Sequence, residues 1–393
     1  MSKSDVIFDI REYGAKPDGR SMNTAAIQQA VDACHAAGGG RVFCGPGEFL
    51  TGPLELKDHV ELHLAPGCRI VGSPNPADYH PLISEGFRHA NAPEGTADYL
   101  IGARHARNIA ITGPGEINAS GPAFYDQAAG LTPGGKFASG KPVRRPRLAM
   151  FHKCADVRIE DASFVDSPCW TFLLTMCERV SIHRIKIVGD QRMINNDGID
   201  IDACRDVTVS DCLIRTDDDC IVLRAMQGLH DEPAVCERVV VSNCVLESTC
   251  QGIRIGCPSD AVIRNCTFSN IVIASRFNGI VCDHPRRYLN PARGGTADIQ
   301  NIMFGTFVID CGRHPVKINV DDGMALKCLS GFSFANFRIK SGGPILIKGS
   351  PETIVRDVAF SNVSVAATGG DAVLCRNCAG VRLDNVNLSG SMP

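Results

Sequence analysis

"DVRIEDASFV" (residues 156–165) and "RVSIHRIKIV" (residues 179–188) share one skeleton beneath different letters. In each, apolar residues recur with gaps of two, three and two: Val157, Ile159, Ala162, Phe164, then Val180, Ile182, Ile185, Ile187. A gap of two is strand alternation, with both side chains on one face. A gap of three needs a bend, whose middle residue must accept left-handed φ/ψ, a preference of Asn and Asp. The frame returns at Val207, Val239, Ala261, Ile302, Phe332, Val358 and Val381, at start-to-start spacings of 23, 27, 32, 22, 41, 30, 26 and 23 residues. The mid-bend residues are Asp161, Arg184, Asp211, Asn243, Asn265, Thr306, Asn336, Asn362 and Asn385, and seven of the nine are Asn or Asp.

Coils of about 22 residues, built from short strands joined by bends, stack as parallel strands with their insertions in loops. The pattern predicts an all-β chain folded as a single-stranded right-handed parallel β-helix. A leucine-rich repeat is the competitor, but neither a Leu–Asn signature nor a helical half-repeat is present. The frame runs without a linker-like break, so residues 1–393 are expected to form one domain. Exposed strand edges have to be covered. "NTAAIQQAVDACHAAGGG" (residues 23–40) predicts an N-terminal α-helical cap over about residues 23–37. Asn23 would be its N-cap, Ile27, Val31 and Cys34 its apolar stripe, and Gly38 its stop.

A formal charge of −3 without a dense Lys/Arg run argues against nucleic-acid or membrane partners. The first residues lack the apolar core of a secretion signal, so a cytoplasmic location is expected. Most of the nineteen cysteines sit inside strand-like runs, which predicts free buried thiols in a reducing compartment. "CRNC" (residues 375–378) has no second pair, and two thiols cannot complete a zinc site. Neither metal nor cofactor is expected.

Chemistry concentrates in "NNDGIDIDACRDVTVSDCLIRTDDDC" (residues 195–220). Successive coils read Asp197-Gly-Ile-Asp-Ile, Asp219-Cys-Ile-Val-Leu, Gln251-Gly-Ile-Arg-Ile and Asn278-Gly-Ile-Val-Cys. In register, Asp197, Asp219, Gln251 and Asn278 would form a ladder with steps of about 4.8 Å, and Asp218 would lie one residue towards the loop. Crowded carboxylates cannot all ionise freely, so at least one pKa should be raised. A raised acid beside an ionised base suits glycosidic cleavage. Two plainer readings stay open for Asp217, Asp218 and Asp219: a solvated turn, or oxygen ligands for calcium.

These residues resemble glycoside hydrolase family 28, the polygalacturonase-like enzymes of the pectin-lyase-like β-helix superfamily. "NNDGID" (195–200) is similar to that family's N-T-D-G-I-D motif, and "DDDC" (217–220) to its G-D-D-C motif one coil later. "FDIREYGAKPDG" (8–19) and "RPRLAMFHKCADVRIEDASFVDSPCWTF" (145–172) extend the likeness along the chain. The resemblance implies a β-helix and an inverting glycosidase. It makes Asp218 the general acid, with Asp197 and Asp219 holding the attacking water.

The departures bear on the substrate. The family's G-H-G motif falls at "TCQG" (249–252), with Gln251, or Cys250 if the register slips, at the histidine position. Its R-I-K motif falls at "NGIVCD" (278–283), where Val281 and Asp283 replace two cations. Those cations would bind a uronate carboxylate and a bare Asp283 would repel it, so simple polygalacturonate is not the expected substrate. Arg276, Arg286 and Arg287 flank the gap as possible substitutes, or are solvated loop residues. Arg224 and Arg254 are expected to face the cleft, Asp200 and Asp202 to be solvated on the outer face, and Lys317 with Asp321 and Asp322 to reach a distal sugar. Trp170 reads as core before sugar platform.

The expected function is therefore hydrolysis of an oligo- or polysaccharide by aspartate acid/base catalysis, with the glycan as the partner. The alternatives are an exo-galacturonidase whose arginines replace the lost cations, a catalytically silent glycan-binding β-helix, and a calcium-dependent lyase on the same scaffold.

Overall fold

The computed structural model describes residues 6–83, 97–137, 144–227, 232–288, 297–368 and 371–390. It divides into two compact units, Met1–Ile199 with Arg215–Asp217, and Asp200–Ile214 with Asp218–Pro393. Each is a stack of parallel coils, the architecture of right-handed parallel β-helices.

In the first unit, Val42, Leu62, Ile111, Ile159 and Ile182 fall in one register row of parallel strands. Phe49, Ile70, Ile117, Phe164 and Ile187 form a second row. All ten are buried, as the two-three-two frame requires. The cap helix spans Thr24–Ala36 and buries Ile27, Ala30, Val31 and Cys34. Asn23 differs from expectation, because its side chain does not cap the helix. It accepts from Lys16 N at 2.7 Å and donates to Ser21 O at 2.7 Å, tying the preceding loop together. Trp170 is core, packed with Leu82, Tyr99, Met150 and Leu173 and lying 4.6 Å from the Arg147 guanidinium.

In the second unit, Val209, Val241, Phe268, Phe304, Phe334 and Phe360 share a row. The four phenylalanines stack at centroid distances of 4.9, 4.9 and 4.7 Å, the pitch of the coils themselves.

All nine mid-bend residues lie in the left-handed region, with φ between 49° and 66°. One of them, Asn265, sits on a different bend from the expected one. Val241 pairs with Phe268 and Cys266 with Ile302, so the coil after Val239 starts at Cys266, not Ala261. Its mid-bend residue is Asn270 (φ 54°), whereas Asn265 (φ 56°) belongs to a second column of bends with Arg238, Asn301 and Gly331. Both columns impose the same two-three-two pattern, which is why the strings alone do not separate them.

All nineteen cysteines are free; fifteen are buried, and Cys375 is the exposed one. No helix of the described residues is long and apolar enough to cross a membrane.

Candidate active site

In the second unit, strands Ile221–Arg224, Gln251–Ile255, Asn278–His284, Val316–Val320 and Ile345–Lys348 lie side by side in parallel. Ile221 pairs with Ile253 and Gln251 with Asn278, so Asp219, Gln251 and Asn278 occupy one row on successive coils. Alternation turns Ile253, Ile280 and Val316 inward and gives their neighbours the outer face. Arg254, Val281 and Lys317 make one outer row, and Asp283, Asn319 and Lys348 make the next.

Asp219 is buried, and its Oδ2 accepts from Arg254 Nη1 at 3.3 Å. Burial drives its pKa well above the ordinary value; Arg254 opposes that shift, and Asp218 and Asp200 add to it. The expected raised carboxyl is thus Asp219. Asp218 is half-buried, and its carbonyl accepts from Ser248 Oγ at 2.7 Å. A ligand-capable oxygen of each carboxylate and the Cys250 sulfur lie within 4.8 Å of one another. Arg254 places positive charge against the Asp219 member of this cluster. The solvated-turn reading fails, because Asp217 and Asp219 are buried.

Asp283 is not a bare charge. Arg254 donates to its Oδ1 from Nε at 3.3 Å and Nη2 at 3.2 Å, and Lys317 Nζ stands 3.5 Å from its Oδ2. Burial alone would raise its pKa, but the two cations outweigh that and hold it below the ordinary value. Charges therefore alternate through Asp219, Arg254, Asp283 and Lys317. Beside them His284 is buried, which presses its pKa down to about 4.

Arg224 and Asp200 also depart from expectation. Both are buried and paired with each other, Nη2 to Oδ1 at 2.5 Å, instead of facing a cleft or solvent. Asp202 is buried too, accepts from Met226 N at 3.2 Å, and is raised by desolvation to about 6. Arg286 is exposed in a short 3-10 turn, where its backbone N–H donates to Asp321 Oδ2 at 3.0 Å. Arg276 is exposed and lies over the Phe277 ring at 5.9 Å.

In the first unit, Asp197 is buried and its carbonyl accepts from Thr171 N at 2.8 Å. Its neighbours hold the turn: Asn195 Oδ1 accepts from Arg145 Nη2 at 3.1 Å, and Asn196 Oδ1 from Asp217 N at 2.7 Å. The Asp217 carboxylate is ion-paired with Lys136. Sequence reasoning missed Lys136, which stands too far along the chain for any spacing to point to it. Lys348 was missed as well, although its place in the frame puts it one row from Lys317.

Buried and half-buried carboxylates on one outer face of stacked parallel coils are suited to acid and base chemistry. Residues 86–230 match the model for "Glycosyl hydrolases family 28". The chain resembles that family over this stretch, which is less than half of its length. It is 28% identical over 222 residues to a probable polygalacturonase of Vitis vinifera, covering 54% of this chain and 43% of that one. An exo-poly-alpha-D-galacturonosidase of Dickeya chrysanthemi is 36% identical over 121 residues, 29% of this chain and 20% of the relative. The chain thus spans less than half the length of either. The crystal structure of a hyperthermoactive exopolygalacturonase from Thermotoga maritima superposes with a TM-score of 0.78 at 23% identity, covering 98% of this chain and 92% of that one.

Proposed function

We propose that the protein hydrolyses galacturonide linkages in pectic oligosaccharides, acting from a chain end. The observation that carries this reading is the pairing of Asp283. The case for a neutral glycan treated Asp283 as an anion that would repel a uronate, but Arg254 and Lys317 neutralise it. Lys317 stands in register with Val281, the position of a lost family cation, displaced by one coil. Lys348 follows one coil further on. A half-exposed ammonium on this face favours a carboxylate-bearing sugar. The exo mode follows the Dickeya relative.

Asp218, less buried than Asp219, is the group placed to protonate a leaving oxygen. Asp219, beside Arg254, is placed to orient water. The sequence motif gives Asp197 a share in holding that water. An inverting outcome follows from the resemblance. The nineteen free thiols support placing the protein in a reducing compartment, where imported oligosaccharides would be its substrates.

The test is a panel of oligogalacturonides and neutral oligosaccharides, with the product anomer assigned by NMR. Asp197→Asn, Asp218→Asn and Asp219→Asn should each lower the rate by about 10²–10⁴ while the protein stays folded. Full activity in all three would remove these residues as the active site. Cleavage of neutral glycans in preference to galacturonides would overturn the substrate assignment.

A further inference from the structure

Gln251 occupies the coil step beside Asp219, at one of the two positions that the family resemblance gives to a histidine, and its hydrogen bonds set which way its amide faces. The backbone N–H of His314 can only donate, and it points at Asn278 Oδ1 at 3.2 Å, so that atom is the acceptor end of the asparagine. The NH₂ end of Asn278 must then face the other way, and it donates to Gln251 Oε1 at 3.2 Å. The Cys250 thiol donates to the same oxygen, also at 3.2 Å. Cys250 has a single S–H hydrogen and Asp218 is also its partner, so the Asn278 N–H is the donor that fixes Oε1. Among the described residues nothing accepts from Gln251 Nε2, although the residue as a whole is only 7% exposed. Cys250, one of the two donors, itself lies within 4.8 Å of ligand-capable oxygens of Asp218 and Asp219. The backbone anchors the same arrangement: Cys220 N donates to Gln251 O at 3.1 Å, and Asn278 N to Cys250 O at 3.1 Å.

We propose that Gln251 presents its amide N–H₂ as a fixed donor to the sugar bound at Asp218 and Asp219, and that Asn278 is the positioning residue that sets this orientation. The inference deepens the glycosidase reading above and relies on it for the identity of the bound sugar. It supplies what a histidine would otherwise supply, a donor on this coil, from an amide that has no titration near neutrality. Asn278 accepts from His314 N–H and donates to Gln251, so the part given to it here is played through its neighbour.

Asn278→Asp tests the proposal, because a carboxylate has no donor end. One oxygen can still accept from His314 N–H, but the other then faces Gln251 as an acceptor. Gln251 must turn its N–H₂ inward and present its carbonyl to the sugar. With digalacturonate and longer oligogalacturonides as substrates, Asn278→Asp should lower kcat/KM by about tenfold to a hundredfold, a range set by one polar contact turned from attractive to repulsive. Gln251→Glu should lose a similar amount. The double variant should be no worse than either single one, since both remove the same donor; residues acting only through stability would give multiplied losses. Thermal midpoints measured alongside establish that each variant is folded.

A second readout needs no substrate. In a spectrum resolving side-chain amides by ¹⁵N, Asn278→Asp should remove the Asn278 NH₂ pair and shift that of Gln251. An unshifted Gln251 pair, wild-type kcat and KM in Asn278→Asp, or multiplied losses in the double variant would each overturn the proposal. Failure of the wild type to cleave galacturonides would instead strike the substrate reading, and leave the amide spectrum to decide the orientation of Gln251.

Discussion

Arg254 donates from Nη1 to Asp219 Oδ2 at 3.3 Å, while the other oxygen of the Asp219 carboxylate is buried without a hydrogen-bond partner among the described residues. The same guanidinium holds Asp283 through Nε and Nη2. One cation thus serves two buried carboxyl groups, and Lys317 assists it only at Asp283.

Removing that cation takes the ion pair from Asp219 and leaves Asp283 with Lys317 alone. Arg254→Met should therefore cost about 3–5 kcal/mol of stability, in the range for breaking a buried ion pair from one side. Urea unfolding at neutral pH measures it. A loss below about 1 kcal/mol would mean that solvent reaches both carboxylates.

Asp283→Asn separates two accounts of the lost basic motif. If Asp283 met the substrate as a bare anion, neutralising it would speed cleavage of oligogalacturonide. Because it anchors Arg254 and Lys317 instead, the expected outcome is a fall in kcat/KM of about tenfold, equivalent to ~1.4 kcal/mol. Steady-state kinetics on trigalacturonate decide the sign.

Asp202 should make stability depend on pH. Burial raises its pKa from 3.8 to about 6 in the folded chain. Below about pH 4 the carboxyl is protonated in both states and carries no penalty. Between pH 4 and 6 the unfolded chain ionises first, so stability is lost as pH rises, by ~3 kcal/mol for about two pH units. Asp202→Asn removes the titration while keeping an acceptor for Met226 N–H. The variant should be more stable than wild type above pH 6 and equal to it near pH 4. A stability difference independent of pH would show that Asp202 stays ionised in the folded state.

Thr306 occupies a left-handed bend at φ 63°, a costly conformation for a β-branched residue. The bends on nearby coils carry asparagines joined side chain to side chain: Asn270 to Asn243 at 3.3 Å, Asn362 to Asn336 at 3.2 Å, and Asn385 to Asn362 at 2.8 Å. Thr306→Asn should relieve the backbone and restore the missing rung, raising stability by about 0.5–1 kcal/mol. A lowered melting midpoint would show that the Thr306 methyl group contributes more than the strain costs.

The coil itself is written in short stretches of sequence. Alternation fixes which side chains of Val157–Phe164 or Val239–Leu246 point inward, and a left-handed bend selects Asn or Asp within the same few residues. Both are nearest-neighbour constraints, so the frame, the row of Asp219, Gln251 and Asn278, and the cap helix are legible in the order of the residues alone. The misplaced frame at Ala261 shows where this stops. Two bend columns impose the same local pattern, and only pairing with Val241 and Phe304 shows which one Asn265 occupies. The charges were beyond the sequence for a related physical reason. Whether Asp283 is bare or clamped, and whether Arg224 faces solvent or Asp200, depends on which side chains arrive at the same height on adjacent coils. That height is a sum over insertions of unequal length. Burial then decides the rest, because the same carboxyl ionises freely in water and resists ionisation once a coil on either side has excluded it.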